Sequence, residues 1–312
     1  MRKMIDAKDE NRTRRMRADR EELAARIARG IPSDGRLEVQ PGVFFNRLSI
    51  PNRPIHGVLA PSFCVIAQGS KDILLGDECF HYDPAHYLIT TLELPLTAQV
   101  VEEPSREPYL GFRLVLDPSV VTSVMVESGA VQPRGDGSGV KGVDVSPLDP
   151  DLLDATLRLV RLTERTGEYR MLAPLVIREI VYRLLTGPQR DRMRHLATFG
   201  GQAHRMVSAL EKLRQNFNKP LRIEDAAREA GMSASGFHAH FKAVTTMSPL
   251  QFQKHLRLQE ARRLMLNEKL DAGEAGYRVG YDDQSHFSRD YKRHFGEPPM
   301  RDVGRLRELA TA

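Results

Sequence analysis

Two hydrophobic periods divide this chain. Between residues 36 and 116, short apolar runs alternate with polar positions and are cut by turn residues. From about residue 150 onward, apolar positions fall three and four apart. The first pattern is that of half-buried strands and the second that of amphipathic helices. Strands are predicted at Val43–Leu48, Phe63–Gln68, Asp72–Leu75, Cys79–Tyr82, Tyr87–Thr91, Leu96–Val101 and Tyr109–Leu116. Gly69-Ser70, Gly76-Asp77 and Asp83-Pro84 separate them. Many short strands at this spacing predict a sandwich or small barrel, and Ile73 to Glu78 reads as a tight hairpin.

The helical pattern begins with Leu152, Leu153, Leu157, Leu159, Val160 and Leu162. A second helix follows through Leu175, Val176, Ile180, Val181, Leu184 and Leu185, closed by Gly187-Pro188. Both helices suit either packing on the barrel or a dimer face. The flanking segments are polar. Residues 1–35 read as a charged helical leader with a weak apolar pattern at Leu23 and Ile27. Residues 117–148, which contain PRGDGSG, read as a mobile loop, and 188–202 as a linker.

The C-terminal region, 203–312, contains one block twice, fifty residues apart. Ser233–Pro249 reads SASGFHAHFKAVTTMSP and Asp283–Pro299 reads DQSHFSRDYKRHFGEPP. Phe237 matches Phe287, Phe241 matches Tyr291, Lys242 matches Lys292 and Pro249 matches Pro299. A repeat of this length marks a repeated structural unit. Each unit reads as helix, glycine turn, helix, with Gly231 and Gly280 at the turns. Ser233 and Asp283 are suited to cap the second helices. Phe237, Phe241 and Val244 fall on one face of the first such helix, and Phe287, Tyr291 and Phe295 on one face of the next. The opposite faces present Ser235, His238, Ala239 and Lys242, then Gln284, Ser285, Arg289 and Lys292.

This is the pattern of two helix-turn-helix units, whose second helices enter the major groove of DNA. Arg289 matches guanine O6/N7 and Gln284 matches adenine, both bidentately. Ser235, His238, Ala239 and Ser285 are the remaining base-reading candidates. Lys242 and Lys292, one turn further on, suit phosphate. Between the units, Leu250 to Leu266 predicts a long helix that sets one reader relative to the other. Gly273 and Gly276 fall in the first helix of unit two, each costing roughly 1 kcal/mol relative to alanine, so that unit is expected to be the softer.

Charge supports a nucleic-acid partner. The net charge is +5, and residues 195–312 carry 19 Lys/Arg against 14 Asp/Glu, so the excess lies in the repeat region. No stretch of eighteen apolar residues predicts a membrane span. The first residues lack the apolar core of a secretion signal. Two cysteines, Cys64 and Cys79, fit a reducing cytoplasm. Neither has a neighbouring cation in sequence, so both read as structural rather than reactive. His81, Asp83, His86 and Glu93 are close in sequence but lack metal-site spacing. No nucleophile elbow, phosphate-cradling glycine loop or zinc spacing occurs. Neither an enzyme nor a cofactor is therefore expected.

Residues from about 205 to 307 closely resemble the DNA-binding domain of the AraC/XylS transcriptional regulators. The resemblance rests on GYDDQSHFSRDYKRHFGEPP at 280–299 and AREAGMSASGFHAHFKAVTTMSP at 227–249. It implies base reading at Ser235, His238, Ala239, Gln284, Ser285 and Arg289. Ser235 and Ala239 stand where larger readers are common, which implies less specificity from the first unit. Ala275 and Gly276 stand where Ile-Ala is usual. Residues 36–187 are similar to a sensor domain of the same family, through PSFCVIAQGSKDILLGDECFHYDPAHYLITTLELP and REIVYRLLTGPQ. That likeness implies a cupin-like β-barrel with dimerisation helices, followed by an all-α double helix-turn-helix domain. It also implies a homodimer that binds promoter DNA in the nucleoid, acts with RNA polymerase, mostly as an activator, and answers to a small-molecule effector. A barrel that only dimerises, and a metal-cupin enzyme joined to a DNA-binding domain, are the alternatives.

Overall fold

The computed structural model describes residues 2–49, 54–76, 78–101, 107–129, 141–197 and 202–311, with backbone alone for 2–10, 202–207 and 309–311. The chain divides into two compact units, residues 1–199 and 200–312. The expected loop motif PRGDGSG lies outside the described residues.

The first unit runs α1 (Arg2–Gly30), β1 (Gly35–Gln40), β2 (Val43–Leu48), β3 (Ile55–Leu59), β4 (Ser62–Gln68), β5 (Ser70–Leu75), β6 (Glu78–Tyr82), β7 (His86–Thr90), β8 (Leu94–Val101), β9 (Tyr109–Val115), α2 (Pro118–Glu127), β10 (Val143–Pro147), α3 (Pro150–Thr163), α4 (Thr166–Thr186) and α5 (Arg190–Ala197). One sheet has the order β1-β2-β9-β4-β7-β10 and the other β3-β8-β5-β6. All the described pairings are antiparallel. The cupin-like barrel is built from these two sheets.

Alternation along the central strands separates two interiors. Phe63 and Val65 of β4, Leu110 and Leu114 of β9 and Phe45 of β2 share one buried cluster with Leu23 and Ile27 of α1 and the apolar positions of α3 and α4. The intervening positions, Cys64 and Arg113, line a cavity whose other wall is Lys71, Ile73, Leu96 and Ala98 of the four-stranded sheet. The six-stranded sheet is thus a shared wall between a helical layer and a cavity.

Three strands without a strong alternating signal, β1, β3 and β10, are all sheet edges. Edge strands favour charged, glycine- or proline-bearing sequences that resist further pairing. GRLEVQ, IHGVL and VDVSP are of that kind. The stretch expected as a loop at 117–148 contains α2 and β10. Asp117 caps α2, accepting from the Ser119 amide at 2.7 Å, with Pro118 in the first turn.

The charged leader docks rather than frays. Leu23 and Ile27 are fully buried, and Glu22 accepts from both Arg161 and Arg26. Those bonds, Arg161 foremost, hold the Glu22 carboxyl down at about 2. Residues expected as linker carry α5, whose Met193 and Ala197 are buried in the same core. Gln189 is also buried and donates to Ser146 and Asp144. Helix α3 is buried on most of its surface. Helix α4 buries Val176, Ile180, Val181, Leu184 and Leu185 but leaves Met171, Leu172, Leu175 and Tyr182 exposed.

The second unit is helical: α6 (Gln202–Gln215), α7 (Ile223–Glu229), α8 (Ala234–Thr245), α9 (Pro249–Asn267), α10 (Ala272–Arg278), α11 (Gln284–Phe295) and α12 (Pro299–Thr311). Helix α9 is the predicted long connector, opened by a capping box between Ser248 and Gln251. Among the described residues no helix is long and apolar enough to cross a membrane.

Candidate functional site

Each helix-turn-helix pair is fixed by its turn. Gly231 sits at φ 67° and Gly280 at φ 94°, a region that side chains with a Cβ resist. Gly280 has a second constraint, since a Cβ there would stand 2.1 Å from the Asn218 carbonyl oxygen. Arg257 of α9 binds this turn from below. It donates to the carbonyls of Gly280 at 2.7 Å, Phe217 at 2.7 Å and Lys219 at 3.1 Å.

The second helices start on side-chain caps. Ser233 accepts from the Gly236 amide at 3.1 Å and Asp283 from the His286 amide at 2.6 Å. Their apolar faces enter the core: Phe237, Phe241, Phe287 and Tyr291 are fully buried. Phe241 meets Phe252 of α9 edge to face at 5.4 Å, and Phe287 meets Tyr291 at 5.6 Å.

With those faces anchored, the opposite faces are open. Ser235, His238, Ala239 and Lys242 of α8 are exposed, as are Gln284, Ser285, Arg289 and Lys292 of α11. Arg289 Nε reaches the Ser285 carbonyl at 3.3 Å, which lays the guanidinium back along the helix face. Its terminal nitrogens have no protein partner among the described residues. Sequence reasoning passed over two further exposed groups on α11. His286 Nε2 lies 3.4 Å and Arg293 3.8 Å from the buried Asp290 carboxylate. Their signal was the acid at position 290, four and three residues away on the same helix.

Beneath the second reader lies a buried polar lock. Asp302 of α12, with no exposed surface, accepts from Arg262 of α9 through two bonds of 2.8 Å, from Tyr291 of α11 at 2.9 Å and from Arg305. Burial, then Asp302, pushes the Tyr291 phenol well above its ordinary range. Gly276 of α10 packs so closely that a Cβ would lie 3.0–3.3 Å from atoms of Phe287. The glycine in place of a larger residue therefore serves close helix contact.

The first unit holds a different site. The cavity between its sheets encloses about 440 Å³, within the range of small-molecule sites. Ile73, Leu88, Leu96, Ala98 and Val100 supply apolar walls, and Arg36, Arg47, Lys71 and Arg113 supply cations. Sequence gave Cys64 no cationic neighbour, but the sheet does. Arg113 stands directly across from Cys64 on β9, and Lys71 and Arg36 act on the thiol as well. Burial outweighs them and pushes the thiol up to about 11. Cys79 is exposed on β6, its thiol raised by desolvation and by Asp72.

His81 and His86 do not converge. His81 Nδ1 meets Asp72 at 2.6 Å and His86 Nδ1 meets Asp83 at 2.7 Å. Among the described residues no three His, Cys, Asp or Glu side chains are grouped to hold a metal ion.

Comparison with known proteins bears on both units. The family model described as the AraC-type transcriptional regulator N-terminus matches residues 40–192, and one described as a helix-turn-helix domain matches 226–302. The virulence regulon transcriptional activator VirF of Yersinia enterocolitica is 28% identical over 183 residues, which cover 57% of this chain and 65% of VirF. The HTH-type transcriptional activator RhaS of Salmonella heidelberg is 30% identical over 163 residues, covering 52% of this chain and 57% of RhaS. The matched part thus spans less than two thirds of these curated relatives' length. Among solved structures, an apo variant of ToxT from Vibrio cholerae is similar with TM-score 0.55 at 10% identity, over 86% of this chain and 98% of that one. ToxT with bound unsaturated fatty acid gives 0.51 at 10%, over 84% and 94%. At that identity the likeness shows the fold alone: a β-rich N-terminal domain followed by a helical one. Two successive family matches on a chain with that fold and two helix-turn-helix units place this protein in the AraC family of transcriptional regulators.

Proposed function

We propose that this chain is a sequence-specific DNA-binding transcriptional regulator, an activator, controlled by a small molecule in its barrel. The observation that carries the reading is the pair of capped helices α8 and α11, each anchored by aromatic residues and each presenting an exposed polar face at matching positions. Two such helices can enter successive major grooves about ten base pairs apart. Arg289 and Gln284 would read guanine and adenine. Ser235, His238, Ala239 and Ser285 would make the shorter base contacts, with Lys242 and Lys292 on phosphates.

The sensor role rests on the cavity between the barrel's sheets, supported by the bound fatty acid in ToxT, a protein of the same fold. A ligand that acts must bind two states of the chain unequally. The exposed apolar face of α4, at Met171, Leu172, Leu175 and Tyr182, supports a homodimer. The activator role, as in VirF and RhaS, makes RNA polymerase the partner and the cytoplasm the site of action. The two functional sites serve binding, so no catalytic activity and no cofactor belong to this reading.

The test is fluorescence anisotropy of the full chain on duplexes tiling the region upstream of its own gene, with competitor DNA. One duplex should bind at least a thousandfold tighter than the rest. Uniform binding of every duplex would reduce the chain to a non-specific DNA binder. A barrel without a sensing role would leave DNA affinity unchanged by every bound small molecule.

A further inference from the structure

We propose that the barrel cavity is an acid-binding site: it takes a small organic monocarboxylate, its charge held by Lys71 and Arg113 and its apolar body laid along Ile73, Leu96 and Ala98. This rests on the reading of the barrel as a ligand-binding domain and adds the chemical class of the ligand.

The strand pattern makes these cations unusual. Lys71 is on the same face of β5 as Ile73 and Leu75, which are buried. Arg113 sits in the run YLGFRLV, flanked by buried Phe112 and Leu114, and is itself only 8% exposed. Charged side chains at such positions are costly unless paired. Here they are not paired. Among the described residues no carboxylate lies within 4 Å of Lys71, Arg36 or Arg113. Arg113 Nε is buried without a hydrogen-bond partner.

What holds the cations is aromatic. The Arg113 and Arg36 guanidiniums lie 4.2 and 4.1 Å from the centre of the Phe44 ring, and Lys71 Nζ lies 5.3 Å from that of Tyr109. The nearby acids are engaged elsewhere. Asp34 accepts from the Ser49 amide and hydroxyl and lies 3.8 Å from Arg47, and Glu38 accepts from the Gly42 amide. Burial lowers the Lys71 ammonium and the Arg113 guanidinium from their ordinary ranges, the direction expected of cations short of a counter-charge.

The site therefore lacks a counter-anion. The remaining walls are apolar and suit the hydrocarbon body of an organic acid, which a bare phosphate would leave unfilled. Ile73, Leu88, Leu96, Ala98 and Val100 have no polar side-chain atoms, and Tyr82 and Tyr109 bond each other. A carboxylate matches the planar fork of Arg113 and the point charge of Lys71.

The experiment titrates the full chain calorimetrically with decanoate and with 1-naphthoate, each beside the alcohol of the same skeleton, 1-decanol and 1-naphthalenemethanol. At least one acid should bind about tenfold or more tightly than its alcohol. Lys71→Met and Arg113→Met should each abolish that preference while leaving alcohol binding in place. Should Arg113→Met fail to fold, Lys71→Met carries the test, since Lys71 is not fully buried. Equal binding of acid and alcohol, or an intact preference in Lys71→Met, would overturn the acid site and leave the barrel a ligand-binding domain. Binding of none of the four compounds would overturn both readings.

Discussion

In the first helix-turn-helix unit, α7 starts without a side-chain cap and α8 ends on Thr246 at φ 60°. In the second, α10 starts on a capping box between Asp271 and Glu274 and α11 ends on Gly296 at φ 84°. The first unit is held by aromatic packing of Phe237, Phe241 and Phe252. The second has a comparable aromatic ladder and, in addition, the buried carboxylates Asp290 and Asp302 tying α11 to α9 and α12. The unit with the better anchorage is also the one with the longer outward side chains, Gln284 and Arg289 against Ser235 and Ala239. A long guanidinium reads a base edge only if its helix is held in register, so reach and anchorage belong together. On this view the two glycines of α10 do not make the second unit softer. Gly276 packs against the Phe287 ring of α11, and the polar lock is expected to offset the helix-propensity cost.

The comparison breaks most severely at Asp302. Asp302→Ala leaves Arg262, only 15% exposed, without its counter-charge, and should cost about 3–5 kcal/mol. Urea unfolding of the full chain should show the C-terminal transition shifted and the barrel transition in place. A loss below 1 kcal/mol would mean that the lock is ornamental.

Arg289→Ala should weaken specific DNA binding by about 1–3 kcal/mol and relax preference at one base pair, whereas Ser235→Ala should change it by less than about 0.5 kcal/mol. Equal losses from the two variants would erase the asymmetry between the readers.

Gly276→Ala sharpens the comparison further. Alanine gains about 1 kcal/mol in helix propensity but presses on the Phe287 ring, at a cost of about 1–3 kcal/mol. The net should be a destabilisation near 1 kcal/mol, and hydrogen exchange should show it in α10 and α11 rather than in α7 and α8. A stabilised variant would restore the view of α10 as a soft helix.

A smaller effect lies in pH. Burial holds the His255 imidazolium below its usual range, with Lys254 adding to the shift, and the ring packs at a tilt against His294, centroids 4.5 Å apart. The unfolded chain then binds the proton more readily. Stability is fully present above about pH 6.5 and falls as pH drops below that value, by less than about 1.4 kcal/mol per unit. His255→Gln should flatten the slope of urea midpoint between pH 7.5 and 5.5.

Legibility followed burial. Seven strands announced themselves because one face of each is apolar, and the repeat made the caps and the buried and open faces of both second helices readable. Three of the four edge strands were silent: β1, β3 and β10 have little to bury and carry charge, glycine or proline. Helix α5 was hidden because Met193 and Ala197 are too few to make a period; the leader was legible as a helix through Leu23 and Ile27, but the charged residues around them hid its docking. The barrel site was half visible. An arginine inside YLGFRLV and a lysine in register with Ile73 were the signal, but their meeting with Cys64 depends on strand pairing that no local spacing encodes.

The most direct test is selection of binding sites by the full chain from a random duplex library, repeated with Arg289→Ala. Two preferred blocks about ten base pairs apart, one of them lost with Arg289, would be the outcome of two unequal readers set by one connecting helix. A single block, or two blocks equally unaffected by the substitution, would contradict it.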